Sequence, residues 1–165
     1  MEQTQERMLL GWREWVGLPE IGLPWIKAKV DTGARTSALH AFYIESRRRG
    51  GKRLVHFGMR PLRGRDDIVV DCVAEILDQR VVSDSGGHRE KRYVIVTPLR
   101  LGGTTWPIEL TLTNRDAMLF RMLLGRTAFA GRAMVDPIAS YLTGRQRRVA
   151  KAYQRQPPTD REASA

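Results

Sequence analysis

The sequence predicts an all-β domain, and three observations carry that prediction. Runs of alternating or β-branched apolar residues recur about eight times, each closed by glycine, proline, asparagine or aspartate. No apolar repeat of helical period is sustained before Gly144. The runs are short and regularly spaced, as in a sheet that closes on itself or packs in two layers. At 165 residues the chain suffices for one such domain with its own core.

The elements follow in order. Leu9 to Val16 reads as a first strand carrying Trp12 and Trp15, and Gly17, Pro19, Gly22 and Pro24 mark the turns behind it. Trp25 to Val30 alternates apolar residues with Lys27 and Lys29, then stops at Asp31-Thr32-Gly33-Ala34. That arrangement holds one carboxylate at a rigid strand end, with a tight turn behind it. Ser37 to Ser46 leaves the loop as a strand, Arg47 to Arg53 is a basic turn around Gly50-Gly51, and Leu54 to Met59 completes a hairpin. Pro61 to Asp67 is a charged connection. Ile68 to Val82 is β-branched enough to be a strand despite its length.

Ser83 to Glu90 contains Asp84-Ser85-Gly86-Gly87, a strong turn, and Lys91 to Leu99 returns from it. This second hairpin places Ser83, Ser85, Gly86 and Gly87 at a polar tip. Thr104 to Thr113 alternates again, and Met118 to Leu124 is an apolar run ending at Gly125-Arg126. Thr127 to Gly131 is expected to make one helical turn. Ala133 to Val135 and Ile138 to Leu142 are short runs around Asp136-Pro137. The expected organisation is an extension over residues 1–8, a folded domain over 9–143 and a basic tail over 144–165. The tail composition predicts disorder, with a helical start at Arg145 to Gln154.

Charge narrows the partners. The net charge is +10, of which +4 falls in the tail and +6 in the folded part. Such an excess favours an acidic polypeptide, nucleic acid or an anionic surface. No apolar stretch is long enough to span a membrane as a helix, and Met1 to Met8 has no apolar core of a leader, so a cytoplasmic protein is expected. Cys72 is the single cysteine, which rules out an internal disulfide. His40, His56 and His88 are too scattered for a zinc motif, and no glycine-rich phosphate loop ends in Lys-Ser/Thr, so neither metal nor cofactor is expected. Cys72 lies in mid-strand and reads as core.

What remains is the acidic centre at Asp31. Aspartic proteases set two Asp-Thr/Ser-Gly loops face to face so that two carboxylates share a proton. The chain carries one convincing copy. Asp84-Ser85-Gly86 is a challenger, but its position between two strands that read as paired fits a closing hairpin tip better than a catalytic loop. The second carboxylate must then come from a second copy about a two-fold axis.

Val30-Asp31-Thr32-Gly33-Ala34, with Leu123-Leu124-Gly125-Arg126 downstream, resembles the two signatures of a retropepsin protomer. Gly11-Trp12-Arg13-Glu14, the block Lys27 to Ala41, and Met122 to Arg126 resemble more closely the bacterial RimB-like family, often labelled "ATP-dependent zinc protease", over about residues 9 to 143. The residues support neither part of that label. The resemblance implies a retropepsin-like closed barrel with a flap hairpin and a homodimeric aspartic peptidase. Asp31 would be catalytic, Thr32 would brace the loops across the axis, and Gly33 would contact the substrate main chain. Ala34, Gly125 and Arg126 would support the loop.

Arg35 and Thr36 stand where viral retropepsins carry Asp residues, which puts the usual ion pair with Arg126 in doubt and favours acidic side chains in the substrate. The family is associated with ligases that add glutamates to a ribosomal protein, so a glutamate-rich tail is the expected substrate. The alternative is a binding module on the same fold that holds an acidic tail or ribosomal RNA without cutting it. Arg47, Arg48, Arg49, Lys52 and Arg53 would be the RNA contact.

Overall fold

The computed structural model describes residues 6–83, 86–115 and 118–154. The strands, in chain order, are β1 (Met8–Leu10), β2 (Arg13–Leu18), β3 (Leu23–Asp31), β4 (Ser37–Ala41), β5 (Tyr43–Arg49), β6 (Lys52–Met59) and β7 (Val70–Glu75). They continue with β8 (Asp78–Ser83), β9 (Arg89–Leu101), β10 (Thr104–Asn114), β11 (Met122–Gly125) and β12 (Ala133–Val135). Two short α-helices, α1 (Arg126–Phe129) and α2 (Val149–Gln154), and a 3-10 turn at Pro19–Ile21 complete the described elements.

Six strands close a barrel. Their order is β10-β4-β11-β3-β2-β9, and β9 pairs back onto β10. The alternation read in the sequence decides which side faces in: Ile26, Ala28 and Val30 on β3, Leu39 on β4, Leu110 and Leu112 on β10, and Leu124 on β11 are all buried in one core. Strand β11 is inserted between the two strands that flank the Asp31 loop. It runs parallel to β3, with Gly125 opposite Asp31, and antiparallel to β4, with Leu123 opposite Ala38. The loop is therefore backed by a strand from about ninety residues further along the chain. Strand β8 lies outside the barrel on β9, and β5, β6 and β7 form a separate three-stranded sheet.

Several expected strands are divided, each for a physical reason. Leu9 to Val16 breaks at Gly11 and Trp12, because β1 pairs with β12 while β2 pairs with β3. A Cβ on Gly11 would lie 2.3 Å from the Ala139 carbonyl oxygen, so only glycine lets the strands change partner there. Ser37 to Ser46 breaks at Phe42, where β4 leaves the barrel and β5 enters the small sheet. Ile68 to Val82 divides at Ile76 and Leu77. The Ile76 amide donates to Arg53 on β6 and the Leu77 amide to Val94 on β9. The chain thus keeps both amides bonded as it passes between sheets, and needs no breaker residue to do it.

Of Met118 to Leu124 only the last part is a strand, and Met118 and Leu119 are exposed. The run Ile138 to Leu142 is irregular. It is fastened by Trp12 and Tyr141 amides donating to Ala139 and Arg13 carbonyls respectively. Within the basic tail, α2 forms in the stretch where a helical start is expected. Val149 and Tyr153 are buried, and the Tyr153 hydroxyl donates to the Trp25 carbonyl.

Glu14 locks the two ends of the domain together. Its fully buried carboxylate accepts from the Gly11 amide at 2.7 Å, the Leu142 and Thr143 amides at 2.9 and 3.0 Å, and the Thr143 hydroxyl at 2.7 Å. A carboxylate can be buried when so many donors replace its water. Among the described residues no helix is long and apolar enough to cross a membrane.

Candidate active site

Asp31 ends β3 with its carboxylate half-buried. Its Oδ1 accepts from the Gly33 amide at 2.9 Å and the Ala34 amide at 3.2 Å, so its own loop sets its rotamer. Thr32 and Gly33 are exposed beyond it. Among the described residues only this oxygen accepts a hydrogen bond, so the carboxylate is fixed on one oxygen and open to a partner on the other.

The segment Gly125–Thr127 holds the loop from behind. The Arg126 amide donates to the Ala34 carbonyl at 2.8 Å, and the Thr127 amide and hydroxyl donate to the Arg35 carbonyl at 3.2 and 2.7 Å. The Gly125 amide donates to the hydroxyl of the fully buried Ser37 at 3.0 Å. A Cβ on Gly125 would stand 2.5 Å from the Thr36 carbonyl carbon, so the strand can approach the loop this closely only as glycine. Arg126 makes no ion pair among the described residues. Its guanidinium donates to the Gly33 carbonyl at 3.3 Å.

The structure brings Asp31, Thr32, Gly33, Ala34, Arg35, Thr36, Gly125 and Arg126 into one unit. It adds Ser37 and Thr127, which sequence reasoning missed. Their signal, a small hydroxyl residue beside each signature, is common in any loop and means nothing until the two segments are known to touch. Arg35 has an exposed side chain and no ion pair to Asp31 among the described residues. Its charge acts instead on Glu109, whose carboxyl is held below its usual range first by a hydrogen bond from Arg80 and further by Arg35.

The second hairpin forms as expected from β8 and β9, with Ser83 opposite Arg89. Ser83, Gly86 and Gly87 lie at its tip, and Gly87 adopts φ 82°. Ser85 lies outside the described residues, as does Asp84. No group of three or more His, Cys, Asp or Glu side chains gathers among the described residues. Cys72 is buried, and burial pushes its thiol up to about 12, so it is core rather than nucleophile.

His40 lies four residues beyond Thr36, on β4. It is buried with no partner for Nδ1 among the described residues, and its pKa falls to about 4, first through burial and then through Arg92, Arg115 and Arg121. The sign follows from linkage. Between the unfolded value of 6.5 and the folded value of about 4, the unfolded chain binds a proton that the folded chain refuses. Stability is therefore lost as pH falls through that window. Urea unfolding is expected to give a stability about 2 kcal/mol lower at pH 5 than at pH 7.5 on this account. A His40→Asn variant should lose that difference; an unchanged acid slope would contradict the assignment.

The profile of the RimB-like family, described as retropepsin-like aspartic endopeptidase RimB, matches residues 9–146. The chain belongs to this family. Its RimB-like domain also resembles a Legionella pneumophila crystal structure of unknown function, with a TM-score of 0.70, 27% identity and coverage of 84% of this chain and 99% of that one. Proteins named probable alpha-L-glutamate ligase are similar as well. One from Shewanella halifaxensis is 43% identical over 87% of this chain, and one from Desulfotalea psychrophila is 47% identical over 83%. The RimB-like chain spans less than a third of those relatives, 31% and 30% of their lengths.

Proposed function

We propose that this protein is an aspartic endopeptidase whose active site is completed by a second copy. The observation that carries the reading is the single Asp31 loop, braced against Gly125-Arg126 so that one carboxylate faces outward in a fixed rotamer. Two such carboxylates in contact cannot both ionise. The ionised one takes a proton from a water held between them. The protonated one gives its proton to the scissile carbonyl oxygen as the water oxygen adds to the carbonyl carbon. The resulting diol collapses when a proton passes to the amide nitrogen and the C–N bond breaks. Thr32 braces the two loops across the axis and Gly33 contacts the substrate main chain. Thr36 and the hairpin tip (Ser83, Ser85, Gly86, Gly87) close on the substrate.

The substrate of this reading is an acidic, glutamate-rich tail, such as that of a glutamylated ribosomal protein in the cytoplasm. Three observations support it: the net charge of +10, the exposed Arg35 beside the loop, and longer relatives named as glutamate ligases. In those relatives we assign the ligase activity to the portion this chain does not cover. Incubation with an oligoglutamate peptide and its oligoglutamine analogue, followed by mass spectrometry, tests it. Cleavage of the acidic peptide should be at least tenfold faster at 50 mM salt, and the advantage should shrink at 500 mM. Equal cleavage of both peptides at low salt would contradict the acidic specificity.

A further inference from the structure

Three strand-to-strand steps lead from Asp31 to Glu109, through β11 and β4. Gly125 on β11 pairs with Asp31, Thr36 abuts Gly125, and the β4–β10 register, with Ser37 opposite Leu110, puts Glu109 next beyond Thr36. At about 4.8 Å per strand this is roughly 14 Å, the reach of about four extended residues. On the pleat these positions alternate with the buried core residues, and Arg35 of the Asp31 loop lies near enough to Glu109 for its charge to act there.

At that distance a carboxylate is already bound. Arg80, on the β8 arm of the flap hairpin, donates in a fork to Glu109, with Nη1 to Oε2 at 2.6 Å and Nη2 to Oε1 at 3.3 Å. Its Nε donates to Asp78 Oδ2 at 3.1 Å. Arg35 adds a second positive charge near Glu109. The pair is open to water, with 40% of the Arg80 side chain and 43% of the Glu109 side chain exposed. As a surface ion pair it contributes little to stability.

We propose that Arg80 is a specificity-determining residue for acidic substrates and that Glu109 is its internal stand-in. This rests on the acidic-tail reading above. Glu109 presents the same side-chain carboxylate that a glutamate-rich peptide would bring. A substrate residue about four places from the scissile bond displaces it and takes the Arg80 fork, with Arg35 alongside. Displacement releases the Arg80 side chain from β10 and ties it to the substrate, while β8 stays paired with β9. The position thus discriminates by charge while the free enzyme keeps its guanidinium paired.

The test reads opposite signs. In an Asp31→Asn background, which prevents turnover, a labelled tetraglutamate peptide is titrated into the full chain and followed by anisotropy. Arg80→Gln is expected to weaken binding roughly threefold to fivefold, and Glu109→Gln to tighten it roughly threefold, the range of an exposed ion pair. Arg80→Lys should fall between wild type and Arg80→Gln, because it keeps the charge and loses the fork. A tetraglutamine peptide should respond to none of them. If both glutamine substitutions shift affinity in one direction, or neither shifts it, the pair is structural only and the proposal is overturned. Absence of tetraglutamate binding to any variant overturns it too. Failure of wild type to cleave while the opposite signs persist would sink the peptidase reading and leave this one standing.

Discussion

Asp31→Asn is expected to lower the rate of peptide cleavage at least ~10³-fold while leaving the fold intact. The amide oxygen of asparagine can accept the same two hydrogen bonds, from Gly33 and Ala34, that now fix the carboxylate. The rotamer is therefore kept, and what disappears is the shared proton and the base. Circular dichroism and the melting temperature should stay close to wild type. If two copies share the site as proposed, an equal mixture after subunit exchange should retain about a quarter of wild-type activity, against half for a protein that works as a monomer. Unchanged cleavage by the variant would rule out the aspartic mechanism.

Gly125→Ala should damage stability and activity together. The added methyl would meet the Thr36 main chain at 2.5 Å from C, 2.7 Å from O and 2.9 Å from N, and main chain has no rotamer by which to yield. Either β11 or the loop must move. The cost is of order 3 kcal/mol, or roughly 6–12 °C in melting temperature for a domain of this size. Movement of β11 also stretches the bonds from the Arg126 and Thr127 amides that position Ala34 and Arg35. Cleavage should fall at least tenfold even at temperatures where the variant remains folded. A variant as stable and active as wild type would mean that the packing of β11 behind the loop is not what positions Asp31.

The meeting of the Asp31 loop with Gly125-Arg126 was legible in the sequence because both segments are short motifs in a fixed order. Asp31-Thr32-Gly33 and Gly125-Arg126 are small motifs whose order and spacing tie them together. The barrel was legible through alternation, which placed Ile26, Ala28 and Val30 inside. The partners that make the loop rigid were not. Ser37 meets Gly125 across 88 residues, and Glu14 meets Thr143 across 129, and nothing local to a serine or a glutamate announces such a partner.

The strand boundaries were missed for a related reason. Gly11, Phe42 and the Ile76-Leu77 step are places where the chain changes neighbours while remaining extended, so local propensity sees one strand where tertiary pairing makes two. The Arg80–Glu109 fork was invisible for the same reason. Two surface charges 29 residues apart meet only because β8 and β10 both pair with β9.

The distance between the two Asp31 carboxylates in a crystal of the homodimer tests the central claim most directly. The account predicts nearest oxygens at about 2.5–3.2 Å, sharing a proton across the two-fold axis. A stable dimer that holds them well beyond hydrogen-bonding reach, or a monomer that cleaves oligoglutamate at full rate, would contradict it.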